Sequence, residues 1–188
     1  DDDVDVFMPL EDYQKLLKIH YSNGIHKMVD WNTENSFYQP FARLVDTRTV
    51  IYEYYFDLGD YRTNVGIDIL PIRGFPDDIQ EANKLKYENV RLRNEWFFYY
   101  IARNIKGLNI VDPRNKIEDE IYRFSFDKSR NVGTVNLVPW IAPKSHGYDE
   151  YIELEFEKEK FKVIAGYDEH LKLLYGENYM ELPLVGQR

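Results

Sequence analysis

Residues 77–106 hold neither proline nor glycine, and they lie between Pro76 and Gly107. That span predicts one long helix, capped by Asp77 or Asp78 and stopped by Gly107. Ile79, Leu85, Leu92, Trp96, Tyr99, Tyr100 and Ala102 mark its buried stripe. A helix this long needs a surface to pack on, and the flanking segments read as strands. Val65–Ile72 is a strong one, closed by Pro71, Gly74 and Pro76. Residues 3–7 alternate, with Val4 and Val6 expected in the core and Asp3, Asp5 and Phe7 on the other face. Residues 9–21 read as an amphipathic helix and His26–Asp30 as a strand. Phe41–Asp46 and Thr49–Phe56 read as a hairpin turning at Thr47 and Arg48. Ile117–Phe126 reads as helical. Tyr148–Val163 reads as a hairpin, followed by a short helix from Asp168 that ends at Gly176. The expectation is a single α+β domain over residues 1–188, a mixed sheet flanked by helices with a C-terminal hairpin and short helix.

Composition removes several classes of function. Acidic residues outnumber basic ones, 33 to 24, for a net charge of -9, which argues against a face that grips nucleic acid by bulk charge. There is no cysteine, so disulfides, thiolate nucleophiles and Cys-based zinc sites are excluded. Trp96–Ala102, the longest apolar run, is too short to span a bilayer. The four histidines lack ligand spacing and read as surface or half-buried side chains. Lys84, Lys86, Arg91 and Arg93 read as the solvated face of the long helix, and the aromatics Trp96–Tyr100 as buried on both sides.

The carboxylates are the informative feature. Asp3 and Asp5 are two apart on a strand, so they share a face, and nothing on that strand neutralises them. Two adjacent carboxylates are costly unless a cation joins them, and hard oxygen ligands suit Mg²⁺ or Mn²⁺. Asp68, in the middle of an apolar strand, is a candidate third ligand. The same residues also fit a solvated acidic stretch and an acid facing water at a sheet edge.

Four ordered blocks resemble the LicD family of phosphotransferases. Asp1-Asp2-Asp3-Val4-Asp5-Val6-Phe7-Met8 with Asp12-Tyr13 is similar to the family's W-D-D-D-[IV]-D-[IV]-x-M-x-R-x-D-Y. Phe41-Ala42-Arg43-Leu44, then Thr49, is similar to its F-A-[KR]-[IL] strand and following threonine. Gly66-Ile67-Asp68-Ile69-Leu70-Pro71-Ile72-Arg73-Gly74 resembles G-[IV]-D-I-F-P-L-D-G, with Arg73 where the family has Asp. Phe156, Tyr167 and Leu171, then Tyr175-Gly176 and Tyr179-Met180-Glu181-Leu182-Pro183, resemble the family's ending. The resemblance implies a nucleotidyltransferase-like fold. It also implies transfer of phosphocholine, or a similar alcohol phosphate, from CDP-choline or a related CDP-linked donor. The acceptor would be a sugar hydroxyl of a glycan or lipid-linked glycan, such as a teichoic acid precursor or lipopolysaccharide. It implies Asp3, Asp5 and Asp68 as catalytic and metal residues, with Asp1 assisting, and Mg²⁺ or Mn²⁺ as cofactor. Arg43 and Thr49 follow as substrate-binding residues. Arg43 would pair with a phosphate oxygen, and Asp68 would complete the metal site or accept the proton of the attacking hydroxyl. Nucleic acid is not an expected partner. The implied location is cytoplasmic, at the inner face of the membrane, with peripheral association. The superfamily's phosphate-cradling Gly-rich element would precede Asp1, so the domain is expected to lack its N-terminal element. The absence of cysteine favours the bacterial type over the fukutin-related proteins. The alternatives are a D-x-D metal-dependent glycosyltransferase and a non-catalytic glycan-binding relative. An aromatic cage for a choline headgroup would draw on Trp140, Tyr148, Tyr151 or Tyr179.

Overall fold

The computed structural model describes residues 4–34, 37–53, 61–103, 108–134 and 140–181. Along the chain the elements are β1 (Asp5–Pro9), α1 (Leu10–Leu17), β2 (His26–Val29), β3 (Ala42–Asp46), β4 (Ile51–Glu53), β5 (Tyr61–Thr63) and β6 (Gly66–Phe75). Then come α2 (Ile79–Ala102), α3 (Arg114–Ile121), β7 (Asn131–Gly133), β8 (Ile141–Pro143), β9 (Tyr151–Phe156), β10 (Glu159–Ile164) and α4 (Tyr167–Tyr175). Six strands make one mixed sheet in the order β2-β3-β6-β7-β8, with β1 added in parallel along β6. Two separate hairpins, β4–β5 and β9–β10, complete the strands among the described residues.

β6 organises the sheet. One of its edges pairs antiparallel with β3 over Gly66–Ile69 and then with β7 over Arg73–Phe75. Pro71 falls between these two ladders, where its missing N–H breaks no pair. The strand therefore passes through Pro71 and Gly74 and ends only at Phe75, longer than the sequence predicts. Past the end of β1, the Gly74 N–H is accepted by the Phe124 carbonyl at 3.1 Å.

Strand alternation divides the side chains between two faces. Ile69, Ala42, Leu44, Met28 and Met8 lie on the back face, in one cluster with Leu10 and Tyr13 of α1, Leu85, Leu92 and Trp96 of α2, and Ile117 and Ile121 of α3. On the front face Leu70 packs with Val29, Phe37, Phe41 and Val45. Further along, Ile72 and Phe7 join Phe126, Trp140 and Tyr148.

Several expectations are corrected. Val4 and Val6 are 56% and 40% exposed. α1 starts directly after Pro9 and so covers only the Met8 end of β1. α1 stops at Leu17, short of Tyr21. β3 forms no hairpin with β4, because β2 and β6 hold both its edges. The Asp46 carboxylate accepts from the Arg48 N–H at 2.9 Å, turning the chain away, and β4 pairs with β5 instead. Asp78 caps α2 as expected, accepting from the Gln80 and Glu81 N–H groups at 2.9 Å, but Ile79 is exposed. The Trp96–Tyr100 run is not buried all round, since Phe98 is exposed. Gly166, not Asp168, occupies the N-cap of α4, and His170 is buried.

Candidate functional site

Register builds the site. Parallel pairing of β1 with β6 sets Asp5 beside Asp68, and antiparallel pairing of β3 with β6 sets Arg43 beside Asp68. β2 continues the line with Val29 beside Arg43. Register partners share a face, and neighbouring strands lie about 4.8 Å apart. Asp5, Asp68 and Arg43 thus form one charged rung across the front of the sheet.

Arg43 and Asp68 are locked together. Nε of Arg43 donates to Oδ1 of Asp68, and Nη2 donates to Oδ2 at 2.9 Å, the two-pronged arrangement that orients both groups. Nη1 donates to the Thr63 hydroxyl at 3.3 Å, and the guanidinium carbon lies 5.7 Å from the centre of the Phe37 ring. Both side chains are 15% exposed, whereas Asp5 is exposed. Gly66 makes the arrangement sterically possible. A Cβ there would meet the Leu44 carbonyl oxygen at 2.6 Å and the Arg43 Cγ at 2.8 Å, so only glycine lets the arginine stem cross β6.

The rung changes the electrostatic picture drawn from the sequence. Of the two carboxylates of the rung, Asp68 is neutralised by Arg43, brought in from β3. A carboxylate offers about four lone-pair sites and a bidentate arginine uses two of them, so Asp68 keeps acceptor capacity. The exposed Asp5 supplies further oxygen donors on the same face. Hard oxygen donors of this kind are what Mg²⁺ or Mn²⁺ takes, and among the described residues Asp5 and Asp68 are the ones that would supply them. Among the described residues no group of three or more metal-ligating side chains converges. Asp1 and Asp3 lie outside the described residues.

Thr49 stands apart from the rung. Its hydroxyl donates to the Asp46 carbonyl at 2.8 Å and accepts from the Val65 N–H at 2.9 Å, fastening the exit of β3 to the start of β6. Arg73 is an odd number of residues from Asp68, so the place where the chain departs from the family pattern lies on the back face. Arg73 is fully buried there and donates to the Glu120 carbonyl. Its guanidinium carbon is 4.5 Å from the centre of the Phe75 ring, and burial lowers its pKa to about 10.

The aromatic candidates resolve differently from expectation. Trp140 and Tyr148 are buried and stack on each other at 5.1 Å, and His170 packs edge-on against both. The two rings contact each other, which leaves no cage for a headgroup between them. Tyr179 donates to Asp168 at 2.7 Å, and Tyr151 lies exposed on β9. His170 is the residue sequence reasoning undervalued. Its Nδ1 lies 3.0 Å from the Tyr148 hydroxyl, and burial pulls the imidazole below its ordinary pKa while pushing Tyr148 up to about 12. Phe7 packs edge-on against both Trp140 and His170, at 5.9 and 5.4 Å. The C-terminal helix therefore braces the strand that carries Asp5. A lone histidine has no periodic signature, so only the fold could reveal this.

No helix among the described residues is long and apolar enough to cross a membrane. The chain is similar to the lipopolysaccharide cholinephosphotransferase LicD of Haemophilus influenzae. The two are 24% identical over an alignment of 210 positions that covers 97% of this chain and 75% of that protein. The chain matches no family model and no solved structure.

Proposed function

We propose that this protein is a transferase of the LicD type, moving phosphocholine or a related alcohol phosphate from a CDP-linked donor to a sugar hydroxyl. The observation that carries this is the Asp5–Asp68–Arg43 rung, which unites residues from three of the sequence blocks that resemble the family. Similarity to a cholinephosphotransferase along nearly the whole chain supports it. A nucleotidyltransferase-like arrangement of the sheet belongs to the same proposal.

Asp5 and Asp68 would hold Mg²⁺ or Mn²⁺, with Asp3 joining them on the strength of the D-x-D pattern alone. When bound, the ion supplies neutralising charge for the donor diphosphate. Asp68 fixes the guanidinium of Arg43 on its Nε edge, so the positive charge is already oriented beside the carboxylates and costs no reorganisation during transfer. Thr63 holds the Nη1 side in place. Phosphoryl transfer demands mainly positioning and charge stabilisation, which a rigid charged rung on a sheet can supply.

Thermal stability with CDP-choline tests the proposal. CDP-choline is expected to raise the melting temperature only when Mg²⁺ is present, and Asp5→Asn is expected to abolish the rise. Equal stabilisation without the ion, or stabilisation by UDP-sugars in its place, contradicts it.

A further inference from the structure

Beside the rung, on the β2 side, a half-open groove of about 360 Å³ runs between the front of the sheet and the β4–β5 hairpin. Val29 and Val45 form its floor. Thr63 lines it and also accepts from Arg43, so the groove abuts the charged rung directly. Tyr52 stands at its edge with half its surface in solvent. Lys27 and Glu34 line it as an ion pair at 3.0 Å.

We propose that this groove is the acceptor subsite and that it takes a neutral saccharide, an inference that rests on the transferase reading above. Charge is the first reason. The two charged lining residues cancel each other, so the groove complements neither a phosphate nor a quaternary ammonium. It does offer a carboxylate acceptor and an ammonium donor to a ligand rich in hydroxyls. Shape is the second. A volume of this order exceeds what a trimethylammonium head fills, and the open side lets a chain of sugars continue into solvent. The aromatic edge is the third, because a tyrosine ring offers an apolar surface to the C–H face of a sugar and a hydroxyl at its rim. Position is the fourth. Val29 lies two strand spacings from Asp68, about 10 Å. A sugar over Val29 and Val45 therefore has its next hydroxyls beside Arg43 and the carboxylates.

Amide chemical shifts of the isotope-labelled protein provide the test, with maltotriose, lactose and chitobiose as saccharide probes and cytidine monophosphate and phosphocholine as controls. At least one saccharide is expected to shift Lys27, Glu34, Tyr52 and Thr63 together. Tyr52→Ala is expected to weaken that binding about three- to tenfold, and Tyr52→Phe to retain it. Overturning results are groove shifts produced by either control instead of the sugars, no saccharide response in the groove, or unchanged affinity in Tyr52→Ala. Saccharide binding here in a protein that consumes no CDP-linked alcohol sinks the transferase reading and with it the acceptor role, and leaves only a saccharide-binding groove. Turnover without a saccharide response at these amides sinks the subsite alone.

Discussion

Replacing Arg43 by methionine removes the guanidinium while keeping a stem that crosses Gly66. Asp68, only 15% exposed, then loses its bidentate partner while Asp5 remains beside it on the adjacent strand. At about 5 Å and an effective dielectric near 20, their repulsion is about 3 kcal/mol. Exposure of Asp5 and ordinary salt reduce that to about 1.5 kcal/mol. The lost bidentate hydrogen bond to a part-buried carboxylate adds about 1.5–2 kcal/mol. The expected destabilisation is about 3 kcal/mol, a fall in melting temperature of roughly 6–12 °C for a chain of 188 residues. Asp68→Asn in the same background should recover much of the loss, because it removes the stranded charge. Urea denaturation of the two single variants and the double variant measures the coupling, and the cost of Arg43→Met should shrink as salt is raised. A melting temperature within about 2 °C of wild type, or additive effects in the double variant, would refute the charged-rung reasoning.

Two further outcomes follow from the geometry. Gly66→Ala is expected to destabilise by about 1–3 kcal/mol and to displace Arg43, since the new Cβ collides with backbone on one side and the arginine stem on the other; urea midpoints read the first effect and nucleotide turnover the second. His170 is held neutral by burial, its pKa lowered below that of the unfolded chain. Its contribution to stability is complete above the ordinary imidazole value and is lost as pH falls through that value toward the lower folded one. Wild type should therefore lose melting temperature relative to His170→Phe between about pH 7.5 and pH 5. Parallel curves for the two proteins would contradict the buried neutral state.

Alternation is a local property, and it carried the strand placement of Asp5 and Asp68. Asp5 on a strand and Asp68 in an apolar run are legible from their immediate neighbours. What joins them is not. That Arg43 sits beside Asp68 depends on the register between strands far apart in the chain, and register is set by packing and turn geometry. The same limit explains the β3–β4 error. Thr47-Arg48 has the length of a hairpin turn, but the occupied edges of β3 forbid one. Pro71 reads as a stop, yet it falls where β6 exchanges one partner for the next. The long helix was legible from its Asp78 cap and its periodicity, although it runs Ile79–Ala102 and its predicted stop, Gly107, lies outside the described residues; the C-terminal hairpin was legible from alternation. The bracing of β1 by His170 was not, because its partners come from β1, the start of β8 and the turn before β9.

The central claim is most directly tested by release of cytidine monophosphate from CDP-choline in the presence of Mg²⁺ and a saccharide acceptor. Wild-type protein is expected to release it in step with phosphocholine transfer. Asp5→Asn and Asp68→Asn are expected to lose at least about a hundredfold in rate while keeping a folded circular-dichroism spectrum. Undiminished release by either folded variant, or no release by wild type under any metal condition, contradicts the assignment of the rung to phosphoryl transfer.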